Sequence, residues 1–557
     1  MKKQFIILIL FCATSFYACK KSFLDEKPLD FLSSSNAFIT IDDFNASVYN
    51  LYDLTRKEFY NSGERRPFDY IYGTDLVYDG QPSVEHHTNM AATYAPTGGG
   101  GINIPLNHWT GLYKIVSEAN TIISRIPNST MSDADKQLTE ARARFFRALA
   151  YRTLVYLYGG VPLSLEEVTS PQTDYVRATK AEVLDQCIAD LTFAAARLPA
   201  ITKVQDGEIS NLAANHLLAE VNIAADKFED AVTAATVVIS SPDVHLMQNR
   251  FGRKSTVTPG DVYWDLFQQG NQNRKSGNLE GLWVIQFETD LPGGGSKSAA
   301  IAGSYQAERQ FAPQFLNLRV GKSTVSPILY PVSDYSGGRG IGWAISTKYF
   351  SDVIWQSDFN NDIRNANHNF VRIYKVTNPA HPLYGQTIST IDPPEGMTVP
   401  NRYLYAYQSK VTTPGDHPDG LFADKSKLLL KGTAGGTYAD QYMFRLAETY
   451  LLRAEAYLKL NKLTEAAADI NIVRARSNAS AVEPEAVDMD YILDERMREL
   501  GSEEKRRLTL MRTGLWYDRV KKCNPYYSDA LPKYNVWPIP AAEIERTGGK
   551  LEQNPDY

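Results

Sequence analysis

The chain has 557 residues, with 58 Lys and Arg against 64 Asp and Glu, a formal net charge of −6. That balance offers no excess positive charge to a phosphate backbone, which argues against nucleic acid as a partner; 43% apolar and 22% charged residues exclude a disordered chain. Tyrosine, at 33, outnumbers phenylalanine at 23, and a ring with a polar edge suits wet contact surfaces better than dry cores.

Met1-Lys2-Lys3 is a positive start, and no charge follows until Lys20. The apolar stretch Phe5 to Phe11 is shorter than the roughly 20 residues that span a bilayer, so residues 1–18 read as a secretory signal peptide. Ala18-Cys19 at its end resembles a bacterial lipoprotein cleavage box, which makes Cys19 the acylated first residue of the mature chain and the membrane contact a lipid anchor. Residues 19–35 then read as lipidated Cys and tether, and 36–557 as a single domain. Of the other cysteines, Cys187 and Cys523 remain in the mature chain; two in a chain of this length make no disulfide scaffold, and their pairing is left open.

Helical apolar spacing runs from Trp109 to Ile126, closed by Pro127. Ser132-Asp133-Ala134-Asp135 offers an N-cap with early acids before a run to Tyr158, and Gly159-Gly160 ends it. Ala181 to Leu198 is a further helix, stopped by Pro199. Two segments repeat 235 positions apart: Ala219 precedes Ala231 by the same twelve residues that separate Ala454 from Ala466, and Phe228 matches Leu463. Paired small residues at that spacing match tetratricopeptide helix pairs, in which close helices leave room only for Gly or Ala. The helical blocks are 36–250 and 437–557. Between them, 251–436 is rich in Gly, Pro, Ser, Asn and isolated aromatics, with strand-like runs such as Leu282 to Phe287, and reads as a structured, loop-rich insertion with short strands and helices.

Six further motifs stand out: Phe23-Leu24-Asp25 with Pro28; Glu140 to Ala148 followed by Tyr158-Gly159-Gly160-Val161-Pro162; Arg445-Leu446-Ala447-Glu448 with Arg453-Ala454-Glu455-Ala456; Ile470 to Arg476; Glu495 to Leu500 through Arg506-Arg507 to Gly514; and Trp537-Pro538-Ile539-Pro540 with the close Gln553-Asn554-Pro555-Asp556-Tyr557. In this order they resemble the SusD/RagB family of outer-membrane nutrient-binding lipoproteins. The resemblance implies a mainly α fold in which tetratricopeptide-like pairs form an α-superhelical scaffold. It also implies no catalysis, no cofactor, and a partner: a TonB-dependent outer-membrane transporter of the SusC kind. The matching motifs themselves read as structural, with Glu495 and Arg498, or Glu499 and Arg496, spaced for helix-face ion pairs worth only a few tenths of a kcal/mol.

Catalytic chemistry finds little support. The adjacent acids Asp42-Asp43, Glu166-Glu167 and Glu503-Glu504 are not the facing carboxylate pair of glycoside hydrolysis. His86-His87 has no further ligand at a zinc spacing. Asp358 to Asp362 opens like a calcium loop, but Ile363 stands where Gly is needed and Asn369 where a bidentate Glu is needed, so no metal is assigned. What remains is binding. A sugar needs aromatic platforms beside polar groups, and two stretches offer them: Asp75, Tyr78, Asp79, Asn89 and Tyr94 in the first, and Trp264, Trp283, Tyr305, Tyr335 and Trp343, with Gln268 and Gln269, in the insertion. The competing reading of each aromatic is burial. The leading expectation is a surface lipoprotein that binds oligosaccharide and delivers it to the transporter. Peptide or other non-glycan capture by the same architecture is the alternative, with a surface hydrolase behind it.

Overall fold

The computed structural model describes residues 38–60, 66–80, 89–99, 103–291, 294–298, 305–412 and 414–557. The signal peptide, Cys19, the whole tether and His86-His87 lie outside the described residues. The architecture is mainly α-helical. Eleven helices carry the argument: α1 (Ile41–Tyr60), α2 (Ile104–Arg125), α3 (Asp133–Tyr158), α4 (Lys180–Arg197), α5 (Asn211–Ala224), α6 (Phe228–Ile239), α7 (Leu446–Lys459), α8 (Leu463–Arg476), α9 (Met489–Glu499), α10 (Arg506–Arg512) and α11 (Trp516–Cys523). From α2 to α8 each helix packs on the next, and α7 also touches α9. The run therefore passes from α6 directly to α7, with the whole insertion looped out between them.

The helix ends are where their caps put them. The Ser132 hydroxyl accepts the Asp135 amide at 3.2 Å to start α3, and Gly159, at φ +73°, ends it. Thr179 and Glu182 close a reciprocal capping box on α4. Helix α2 begins five residues before Trp109, where Asn103 caps it and Pro105 occupies its first turn; proline is tolerated there because that N–H has no helical partner. Every residue of α3 from Phe145 to Tyr158 is buried, which makes it the central helix.

The repeat holds to the level of backbone hydrogen bonds. The amide of Lys227 donates to Asn222 O at 2.9 Å, and 235 residues later Lys462 donates to Tyr457 O at the same distance. Asp226 and Asn461 carry matching left-handed φ values of 57° and 58°. Ala219, Ala231, Ala454 and Ala466 are all buried, as close helix approach requires.

The short strands pair two by two, antiparallel. β1 (Val77–Asp79) pairs with β3 (Ala344–Ser346), joining the N-terminal block to the insertion; β2 (Gly281–Ile285) pairs with β4 (Gln441–Arg445), which leads into α7.

One buried ionic network fastens the insertion to the helices. Glu499 of α9 holds Arg364 at 2.9 Å, Arg445 at 2.5 Å and also Arg476. Glu495 holds Arg364 at 2.7 Å, Arg474 at 2.8 Å and Arg498 at 2.7 Å. Glu280, just before β2, bridges Arg445 and Arg476, while Asp362 embraces Arg364 and Asp358 receives Arg474. This corrects the sequence reading twice. Glu495 and Glu499 are fully buried rather than on a solvated helix face, and Arg496 pairs with Glu448 and Glu504 instead of Glu499. The calcium-like acids Asp358 and Asp362 are likewise committed to arginines, Asp358 also accepting from Ser480.

The tyrosine excess is also placed differently from the expectation. Buried tyrosines donate to backbone carbonyls: Tyr60 to Tyr442 at 2.9 Å, Tyr263 to Glu499 at 2.7 Å, Tyr374 to Tyr405 at 2.6 Å, Tyr405 to Phe311 at 2.9 Å and Tyr442 to Leu266 at 2.7 Å. Cys187 and Cys523 are buried and free.

Replacing Glu499 by Gln leaves Arg364, Arg445 and Arg476 short of a counter-charge, so denaturant unfolding should report a loss of roughly 3–5 kcal/mol. Glu465→Gln on the exposed face of α8 should stay within about 0.5 kcal/mol. Equal stabilities for the two variants would contradict the network's role.

Candidate functional site

The first candidate stretch is built on a buried carboxylate. Arg506 grips Asp75 through two hydrogen bonds of 2.8 and 2.7 Å, and Arg519 adds a third at 3.0 Å. Burial alone would raise this carboxyl, but the two guanidiniums outweigh it and hold it at about 2. Asp75 therefore faces no ligand. It pins the start of β1, helped by Thr347, whose hydroxyl donates to Asp75 O, and by the Asn524 amide, which donates to Thr74 O at 2.6 Å and Val77 O at 3.0 Å.

From that anchor the strand presents Tyr78. β1 pairs Tyr78 with Ile345 and Asp79 with Ala344, and the Gly80 amide then donates to Trp343 O at 2.8 Å. The two sequence stretches thus meet here, through Tyr78 and Asp79 on one side and Trp343 on the other. The contact is tight. A Cβ on Gly80 would lie 2.4 Å from Gly342 O, and one on Gly342 would lie 2.3 Å from Arg402 O, where φ is +68°; only glycine fits either position. The turn at 401–404 is drawn in with it and carries Tyr403, 39% exposed.

The residue that completes the site comes from the C-terminal block. After α11, Asn524 anchors a turn that buries Tyr527 and turns Tyr526 outward, 49% exposed. Tyr526 stacks on Tyr78 with ring centroids 3.6 Å apart and an interplanar angle of 16°. Tyr78 is itself fixed below, its hydroxyl donating to Pro400 O at 3.3 Å; burial, then the neighbouring Tyr526 hydroxyl, push it well above its ordinary range, so it keeps that proton. Tyr527 accepts the Asp79 amide. The outcome is a two-tier aromatic platform whose upper ring faces solvent and whose lower ring is locked. Sequence reading missed Tyr526 and Tyr403. The signal for the first was present in Asn524-Pro525-Tyr526-Tyr527, a turn followed by two adjacent aromatics.

The other candidates lie elsewhere. Trp283 is in the core, its indole donating to Gly207 O at 2.9 Å and its ring edge-on to Phe145 and Phe146. Tyr305 is buried and stacked on Phe68, and Tyr94 is buried against Trp537. None of these three offers a face to a ligand, because each fills a hydrophobic core that distant segments close. The Asn89 side chain caps the short helix Met90–Thr93. Trp264 is half-buried beside Arg250 and Lys254. Lys254 pairs with Asp416, while Asp334, beside the exposed Tyr335, accepts the Gly415 amide. Trp264 and Tyr335 are therefore linked through the 414–417 loop rather than joined to the platform. Gln268 and Gln269 donate to backbone carbonyls.

Comparison with known proteins places this geometry. The model of the SusD family matches residues 401–557, and that of a family described as "Starch-binding associating with outer membrane" matches 23–223. The SusD-like protein P25 of Formosa agariphila is 22% identical over 592 aligned positions, covering 100% of this chain and 99% of its own. The starch-binding protein SusD of Bacteroides thetaiotaomicron is 32% identical over 139 positions, 23% of this chain and 24% of that protein. Among solved structures, a laminarin-binding SusD-like protein superposes with a TM-score of 0.67 at 21% identity, covering 93% of this chain and 100% of that one. Surface glycan-binding protein A of Bacteroides thetaiotaomicron, in complex with laminarihexaose, gives 0.66 at 19% identity, over 92% and 99%. The family motifs, the helix-pair scaffold and these matches converge: the chain belongs to the SusD/RagB family.

Proposed function

We propose that this chain is a non-catalytic lipoprotein of the outer membrane that captures an oligosaccharide at the cell surface and delivers it to a partner TonB-dependent transporter of the SusC kind. The observation that carries the binding half is the Tyr526–Tyr78 stack, a solvent-facing ring held flat by a second ring. Such a platform matches the apolar C–H face of a pyranose. Its upper ring is ordered before a ligand arrives, which lowers the entropy lost on binding. In this reading Trp343, next to Ala344 of β3, and the exposed Tyr403 supply further contacts. The laminarin and laminarihexaose of the structural neighbours point the same way, and the outer-membrane description of the matching family supports the location. In this reading Cys19 carries the lipid. The transporter partner is what the family resemblance implies, and tethering beside it would raise the effective concentration of a modestly bound sugar.

The purified full chain in detergent should take up a neutral oligosaccharide such as laminarihexaose in a calorimetric titration. Tyr526→Ala should weaken it about tenfold, a loss of ~1.4 kcal/mol, which takes a modestly bound sugar below calorimetric detection at that site; Tyr78→Phe, which keeps the stack, should change it little. Undiminished affinity in Tyr526→Ala would remove the platform from the site, and heat from peptide pools alone would favour the non-glycan alternative. Chromatography after incubation should recover the sugar intact, since shortened products would mean a hydrolase. Separately, Cys19→Ala should move the chain from the membrane fraction to the soluble one.

A further inference from the structure

A cleft of about 400 Å³ lies between α2, the extended segment 162–175 and the C-terminal residues 543–551, and it shares no lining residue with the tyrosine platform. Its volume falls within the roughly 300–1,000 Å³ usual for small-molecule sites. Three aromatic side chains line it: Trp109, Tyr113 and Tyr175.

The walls are preformed. The Tyr113 hydroxyl donates to Pro162 O at 2.7 Å, and its ring lies 4.9 Å from that of Trp109. Asn120 at the floor is fixed from both ends, its amide donating to Ser164 O and its oxygen accepting from Arg147, each at 2.9 Å. The strand-like segment bearing Tyr175 is held by Arg177, which donates to Gly160 O and to the Asn554 side chain, both at 2.7 Å. Charge at the rim is balanced, with Lys114 and Arg546 set against Glu166 and Glu543, and Arg546 paired with Glu543. A cleft walled by the half-buried rings of Tyr113 and Tyr175, with Trp109 buried behind them, with polar edges and a balanced rim is complementary to a neutral ligand that has apolar faces and hydroxyl rims.

We propose that this cleft is a second binding site, taking the end of a neutral oligosaccharide independently of the tyrosine platform. The choice of sugar rests on the function proposed above; the cleft's geometry does not. Two separated sites on one chain would let a polysaccharide be held at two points, so that a single release at either does not lose it.

The test is calorimetric titration of the full chain in detergent with laminari-, malto-, cello- and xylohexaose, in the wild type, Tyr175→Ala, Tyr526→Ala and the double variant, with Tyr175→Phe as the conservative control and thermal melts to verify folding. The expected result is two sugars per chain in the wild type, one in each alanine variant, none in the double, and two restored in Tyr175→Phe. One sugar per chain, lost in Tyr526→Ala and untouched in Tyr175→Ala, overturns the cleft and leaves the platform standing. One sugar lost in Tyr175→Ala alone supports the cleft and overturns the platform. No heat from any of the four overturns both.

Discussion

The structure depends on a cluster of arginines and carboxylates that has been taken out of water. A charge moved into a protein interior carries several kcal/mol of desolvation, recovered only if its partners are placed with good geometry. Glu499 and Glu495 meet that condition by binding three guanidiniums each: Arg364 of the insertion, Arg445 of β4 and Arg476 at the end of α8 for Glu499, and Arg364, Arg474 of α8 and Arg498 of its own helix for Glu495. A greasy interface would tolerate sliding, whereas a shift of these segments would leave buried charges without partners. That constraint allows a long stretch with little regular secondary structure to sit in one position on a helical scaffold.

The aromatic platform is assembled in the same way. Its parts come from three places in the chain: Tyr78 from β1, Trp343 and Pro400 from the insertion, and Tyr526 from beyond α11. Two of them are located by the same kind of buried pair, since Arg519 of α11 and Arg506 of α10 both close on Asp75. The carboxylate that looked like a ligand contact thus aligns the strand and the turn that carry the aromatic stack. Holding Asp75 at about 2, against about 4 in an unfolded chain, makes its contribution complete above pH 4 and lost as the pH falls towards 2. The alignment is fully present at any pH near neutrality.

What the sequence made legible follows from range. Helix ends were readable because a cap such as Ser132 acts within four residues, and the repeat was readable because close helix packing forces alanine at fixed spacing. The family motifs carried the architecture further than periodicity alone. The site was legible only in part. Tyr78 and Trp343 stood out as aromatics among polar neighbours, yet nothing near them in sequence indicates that they meet, or that Tyr526 covers the first. Trp283, Tyr305 and Tyr94 looked identical to Tyr78 in local context. Their burial is decided by Phe145, Phe68 and Trp537, each far along the chain. The Glu495 and Glu499 pairs misled for the same reason: helix spacing was right, but which face meets solvent is set by the insertion.

The tyrosine content was read as a sign of wet surfaces, and the structure gives it another cause. A helix or a sheet satisfies its own carbonyls, but an irregular insertion folded into an interior leaves many of them without a ladder partner, and each unmet acceptor is costly. A phenylalanine would fill the space and leave the oxygen unpaired. A tyrosine fills the same space and delivers one hydroxyl donor about a ring's length away. Tyr374, Tyr405 and Tyr442 do this for the carbonyls of Tyr405, Phe311 and Leu266 in the insertion, while Tyr60 and Tyr263 reach the carbonyls of Tyr442 in β4 and Glu499 at the end of α9. Composition therefore did carry information about the fold, though of a different kind. An excess of tyrosine over phenylalanine in a chain with a long loop-rich segment serves buried carbonyls, and not only wet surfaces.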